Sequence, residues 1–376
     1  MGLHCIVRCD DLLKAVSAQQ NITGKKGSMA ILSNLLLETD DNHLICTGTD
    51  LEIGLKQIIA AEIIEAGKIT LPAKKLFELA RESGGNDIVL KEQDNAWVEI
   101  EAGSGHYRLA GMQADEFPQF PLYDEKAQIA VKSEIFTEII DKTYFSIAQD
   151  KESIFSLTAA LLQKYKEEEN TYIKMVTSDG HRLSLCSKKI ETNIDILELN
   201  SSTLIPRRGI QEIRKFCENI DIINLGIEEK QIVLKDESSI LIVRLMKGDF
   251  PDFASLLQSI SQENIVHINR IRFLEALKRI NLFTEDISHA IKISLTQNKI
   301  ILNSQHTEYG SATDSFEIQY GGEDIDLAFN CRYFIEVIQV MEGDIIKLTV
   351  KDEKSPCMIT SDQDEGFLCV IMPMKL

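Results

Sequence analysis

Leu71-Pro72-Ala73-Lys74-Lys75-Leu76 recurs as Ile205-Pro206-Arg207-Arg208-Gly209-Ile210 and, more faintly, as Phe329-Asn330-Cys331-Arg332-Tyr333-Phe334. Each copy leads into apolar residues at three- and four-residue steps, the period of a helix with one buried face. A helix of the same kind opens upstream of each copy. The six predicted helices cover Asp10 to Gln20, Ala73 to Ser83, Ser133 to Ala148, Arg207 to Glu218, Asn269 to Phe283 and Cys331 to Glu342. The first of each pair begins near 10, 133 and 269, and the second near 73, 207 and 331. A period near one third of the chain is an internal repeat.

Between the helices lie short β-like runs such as Leu44-Ile45-Cys46-Thr47, Ile240-Leu241-Ile242-Val243 and Lys299-Ile300-Ile301-Leu302. Several alternate apolar and polar residues, as strands of half-buried sheets do. Thr49-Asp50-Leu51-Glu52 parallels Ser178-Asp179-Gly180-His181, and Phe117-Pro118-Gln119-Phe120 parallels Phe250-Pro251-Asp252-Phe253. The residue before a proline favours an extended path, which suits connectors. These signals predict domains 1–125, 126–254 and 255–376. Each holds two helices and about eight strands, with both helices on one side of the sheets.

The chain has 376 residues, more than one ordinary core. No run approaches eighteen apolar residues, so no membrane span is expected. The opening Met1-Gly2-Leu3-His4-Cys5-Ile6 lacks a signal-peptide pattern, and the sequence predicts a cytoplasmic protein. Eight scattered cysteines read as reduced core thiols, with no metal-ligand spacing. The net charge of −19 argues against nucleic acid, since phosphate neutralisation needs Lys and Arg. Its distribution argues the other way. The six helical stretches carry fourteen basic and twelve acidic residues, which leaves −21 for the rest. Basic helical faces on an acidic body, repeated three times, fit a sequence-independent phosphate-facing surface.

Ser178-Asp179-Gly180-His181-Arg182-Leu183 holds the residue types of a hydrolytic triad. In an extended chain Asp179 and His181 would share a face and Ser178 would point away. A triad needs nucleophile and base within hydrogen-bond reach. No phosphate loop, zinc-binding His-Glu-x-x-His, nucleophile elbow or dinucleotide glycine fingerprint is present, and no cofactor is expected. A hydrolase using His181 with Asp179 and a monomeric β-rich adaptor that binds peptides stand as alternative readings.

In order and spacing the motifs resemble those of the bacterial sliding clamps, the beta subunits of DNA polymerase III. The carriers are Thr47-Gly48-Thr49-Asp50-Leu51-Glu52, Leu71-Pro72-Ala73-Lys74-Lys75, Asp179-Gly180-His181-Arg182-Leu183, Ile205-Pro206-Arg207-Arg208-Gly209, Phe250-Pro251-Asp252 and Met372-Pro373-Met374-Lys375-Leu376. The resemblance runs the full length. It implies an α+β chain of three similar domains, each with two helices packed on antiparallel sheets (the DNA clamp fold). It further implies a head-to-tail homodimer closing a ring around duplex DNA. The implied partners are the replicative DNA polymerase alpha subunit, the clamp loader and other clamp-binding replication and repair proteins.

The resemblance also assigns residues. A pocket for linear peptides would be built from Leu157, Ser178, Gly180, His181, Arg182, Leu183, Pro251, Leu256, Asn330, Tyr333, Val370, Met372, Pro373, Met374, Lys375 and Leu376. DNA would be faced by Lys26, Lys74, Gln149, Arg207 and Lys215. The dimer seam would join Tyr107 and Leu109 to Leu282 and Phe283. Departures from the family pattern are Ser178 in place of Thr, Leu157-Thr158-Ala159 in place of Leu-Asn-Gly, Ser255 where some members place Arg, and Lys375 in place of Arg. They imply a shifted peptide preference.

Overall fold

Where the repeated motif falls, a strand passes straight into a helix. The computed structural model describes residues 2–24, 29–149, 155–199, 202–260 and 264–375. In it, strand Lys68–Pro72 enters helix α2 and strand Leu204–Pro206 enters α4. Strand Ile325–Asn330 enters α7. The seven α-helices among the described residues are α1 (Cys9–Gln19), α2 (Ala73–Glu82), α3 (Ser133–Thr143), α4 (Arg207–Phe216), α5 (Phe253–Ser259), α6 (Arg270–Asn281) and α7 (Cys331–Val340). Pro72 and Pro206 sit at the helix cap with φ of −56° and −57°, which proline's ring fixes without cost. Asn330 does the same work differently, its side chain accepting from the Arg332 amide at 2.9 Å.

The threefold repeat holds in element order. Each third runs strand, helix, four strands, helix, three strands, and the first adds a short strand, Met112–Gln113. In the first third these are His4–Arg8, α1, Asn34–Asp40, His43–Thr49, Ile53–Glu65, Lys68–Pro72, α2, Asp87–Glu92, Trp97–Ala102 and Gly105–Ala110.

The sheets do not stop at the thirds. Ile53–Glu65 pairs antiparallel with Ser239–Arg244 in the register Ile53↔Val243. Arg182–Ile190 pairs with Phe367–Ile371 in the register Leu183↔Val370. The chain therefore groups into two compact units, Met1–Lys132 with Asn219–Arg244, and Ser133–Glu218 with Leu245–Leu376. In the first unit α1 and α2 bury Leu12, Val16, Leu76 and Ala80 against Leu35, Leu37, Leu44 and Leu90 of the sheets.

Two expectations need adjustment. The helix predicted through Ala148 stops at Thr143, whose hydroxyl turns back to the Ile139 carbonyl at 2.6 Å. A 3₁₀ turn, Tyr144–Ser146, comes next. The second connector is not wholly extended. After Pro251, Asp252 caps α5 through the Ser255 amide at 3.2 Å. The first connector has Gln119 in place of that cap and Pro121 just beyond, and no α-helix forms there.

All eight cysteines are buried and free. Burial pushes the Cys5, Cys46 and Cys186 thiols up to about 12, so they pack as small apolar groups.

Candidate docking site

Both copies of the repeated turn fold alike. Thr49 Oγ1 donates to the Ile53 carbonyl at 2.9 Å and accepts from the Leu51 amide at 3.0 Å. Asp50 Oδ1 accepts from the Glu52 and Ile53 amides. In the second unit Ser178 Oγ donates to the Arg182 carbonyl at 2.8 Å and accepts from the Gly180 amide at 3.1 Å. Asp179 Oδ1 accepts from the His181 and Arg182 amides, both at 3.0 Å. The third position has positive φ in each, +77° at Leu51 and +89° at Gly180. The Ser178 and Asp179 side chains are thus committed to the turn and to Arg182, and neither is hydrogen-bonded to the His181 ring. The three residues do not assemble a triad, and the hydrolase reading loses its geometry.

What differs is the side chain after the turn. Arg182 is 7% exposed. Its Nε donates to Asp179 Oδ2 at 3.0 Å and its Nη2 to the Phe145 carbonyl at 2.8 Å. Nη1 lies 2.5 Å from Glu336 Oε2, an ion pair outside hydrogen-bond alignment. The guanidinium lies 4.4 Å from the Tyr333 ring centroid and 5.2 Å from that of Phe145. His181 is exposed, and its ring stacks loosely on Tyr333 at 6.5 Å between centroids. Burial, with Asp179 and Glu336 nearby, raises the Tyr333 phenol above its ordinary value.

The last strand completes the wall. The Met372 amide donates to the His181 carbonyl at 2.9 Å, and the Met374 amide to the Ala328 carbonyl at 2.8 Å. Leu183 and Val370 are buried in one apolar cluster, against which Met246, Phe253, Leu256 and Leu257 pack half-buried. Gly180 faces Leu157, with 3.9 Å from the place of a Cβ to Leu157 Cδ1. Asn330 is spent on the α7 cap and on the Ser288 carbonyl. Pro251 and Lys375 are exposed, Pro373 and Met374 half-buried, and Met372 is exposed. Leu376 lies outside the described residues.

Beside this wall an open cavity of about 1120 Å³ is lined by His181, Arg182 and Tyr333 together with Tyr144, Gln149 and Arg207. Arg207 lies over the Tyr144 ring at 4.4 Å and donates to the Ile147 carbonyl. Lys215 is paired with Glu212 at 2.8 Å, while the Lys74 side chain is 83% exposed. Lys26 lies outside the described residues. Several helix cations are spent internally. Lys142 is buried between Asp364 at 3.0 Å and Glu138 at 3.1 Å, and Arg214 pairs with Asp141 at 2.7 Å. Burial pushes Asp364 up, but the Gly343 and Glu342 amides and Lys142 hold it below the usual carboxylate range. Tyr107 and Leu282 are exposed, and Leu109 and Phe283 half-buried.

Sequence reasoning missed Glu336 and Phe145 as Arg182's partners. Glu336 stands three residues after Tyr333 on α7, on the same face, and that spacing could have revealed it. The Phe145 carbonyl left no side-chain signal.

Three family models match the chain in order. The N-terminal domain of the DNA polymerase III beta subunit matches residues 3–121, the central domain 130–252 and the C-terminal domain 260–375. The chain belongs to the DNA polymerase III beta subunit family. It is 26% identical over 372 residues to the beta sliding clamp of Chlamydia muridarum, covering 99% of this chain and 98% of that one. The C. crescentus beta sliding clamp, solved with PEG bound, superposes with a TM-score of 0.92 at 26% identity over the whole of both chains. A sliding clamp from Bartonella birtlesii, solved bound to griselimycin, has a TM-score of 0.92 at 22% identity, which supports the fold. The function is that of a processivity clamp for DNA polymerase, and the family's role is a non-catalytic one. No helix among the described residues is long and apolar enough to cross a membrane.

Proposed function

We propose that two copies close head to tail into a ring around duplex DNA and tether their partners without turning over any substrate. Two edge strands support the closure. Gly105–Ala110 and Gly310–Glu317 each end a sheet, and an open edge calls for cover. Tyr107 with Leu109 on one copy would meet Leu282 with Phe283 on the other, a heterologous contact that closes after two copies. Lys74, Gln149, Arg207 and Lys215 would face the DNA backbone, together with Lys26. Held by topology, the DNA needs only weak contacts, and the acidic remainder of the chain repels other DNA.

The docking wall carries the partner reading. The single observation behind it is the amide of Met372 on the carbonyl of His181. That bond joins the turn and the last strand around the Leu183–Val370 floor. Apolar floor, adaptable methionines and a few polar groups suit a linear peptide. The polymerase alpha subunit, the clamp loader and other clamp-binding proteins would share it. Griselimycin serves as a probe. Calorimetry should find one bound per chain, and none after deletion of Met372 to Leu376. The deleted chain should still sediment as a dimer, since the seam is elsewhere. Undiminished griselimycin binding by the deletion would contradict the assignment.

A further inference from the structure

The backbone of the docking wall has a second copy in the first unit. Ile53 stands at the register of Arg182, Gly54 at that of Leu183, and Ile242 at that of Val370. The Arg244 amide donates to the Glu52 carbonyl at 2.8 Å, just as Met372 does to His181. The connectors share Phe-Pro-x-Phe.

The two connectors place their second phenylalanine differently. Phe253 enters α5 and lies against Lys174, 5.1 Å from Nζ to centroid. Lys174 pairs with Ser187, four residues along the strand from Leu183. Phe120 has no helix to enter. Its ring covers Gly54, 3.1 Å from the place of a Cβ, with Lys56 Nζ 4.8 Å from the centroid. The Gln231 side chain holds the connector just beyond, on the Leu122 carbonyl at 2.8 Å. Phe120 thus covers, in the first unit, the register position that forms the docking floor in the second.

We propose that the first junction is a second docking site for an apolar linear peptide, kept shut by Phe120 of the chain's own connector. The assignment rests on the docking reading of the second junction. It accounts for a repeat that presents one open wall rather than two. The ring of Phe120 takes the seat a partner's apolar side chain would take, and the glycine at 54 makes room for it.

The probe is a synthetic, end-capped peptide of residues 117–123, Phe-Pro-Gln-Phe-Pro-Leu-Tyr. Phe120→Ala should bind one more equivalent per chain than the wild type, and Phe120→Leu, which refills the seat, should not. Lys56→Ala removes only the cation over the ring and is the milder opening. It should give a weak extra equivalent, and it serves if Phe120→Ala does not fold. A folded opening variant with no extra equivalent overturns the proposal. Failure of the underlying docking reading shows separately, as wild-type binding unchanged by deletion of Met372 to Leu376.

Discussion

The turns at Thr49–Ile53 and Ser178–Arg182 share a backbone and a hydrogen-bond pattern, and they differ in what the residue after the turn reaches. After the first turn come Ile53 and Gly54, apolar and small. After the second come Arg182 and Leu183. Arg182 ties the turn to the 3₁₀ turn after α3 through Phe145 and to α7 through Glu336 and Tyr333. The second unit adds a further buried pair, Lys142 with Asp364. The pairs around the first junction, such as Lys235 with Glu125 and Lys68 with Asp115, are mostly exposed. A repeat can hold its backbone constant and build a different wall by changing the residues at and beyond a turn. Desolvated charges then hold the exposed groups in place, at a stability risk the plain copy does not run.

The largest contrast should come from the two turn aspartates. Asp179→Ala removes one of the two carboxylates on a buried guanidinium as well as two amide bonds, and should cost about 3 kcal/mol in urea unfolding. Asp50→Ala loses its bonds to the Glu52 and Ile53 amides and should cost about 1 kcal/mol. Equal costs would break the comparison.

Acid should separate the two units next. The depressed Asp364 gives stability that is present above the unfolded carboxylate pKa and lost as pH falls through its own lower value. Hydrogen exchange should show residues around Lys142 and Asp364 in the second unit losing protection below about pH 4. In Asp364→Asn this acid step should disappear, while protection at neutral pH drops because Lys142 loses a charged partner.

Tyr333→Ala should weaken griselimycin binding about tenfold, roughly 1.4 kcal/mol, because it removes the ring that supports both His181 and Arg182. Phe77→Ala in the first unit should leave binding unchanged. The smallest effect lies at the third turn position. Leu51→Gly relieves a side chain held at φ +77° and should gain about 0.5–1 kcal/mol, while Gly180→Leu should lose about as much. Thermal unfolding of both variants checks the sign.

The helices and the repeat were legible because their signals are local. Pro72, Pro206 and Asn330 mark each strand-to-helix entry, and apolar spacing marks the helix beyond it. The sheets that run from one third into the next were not. Pairing Ile53 with Val243 or Leu183 with Val370 joins residues far apart in sequence, and alternation within a strand does not name its neighbour. Helix α5 turned on one capping aspartate after a proline that signalled extension. In the docking wall, His181, Leu183, Tyr333 and Met372 were placed together by resemblance, and the structure brings them together. The depth of Arg182 was hidden, since an arginine beside a histidine reads as surface until its three partners are known.

The central claim is that the chain acts as a closed ring held on DNA by topology. The most direct measurement loads it with a clamp loader onto nicked circular duplex and tracks its retention before and after the circle is cut to a linear form. The account predicts stable retention on the circle and rapid release from the linear duplex. Equal retention on both would contradict it.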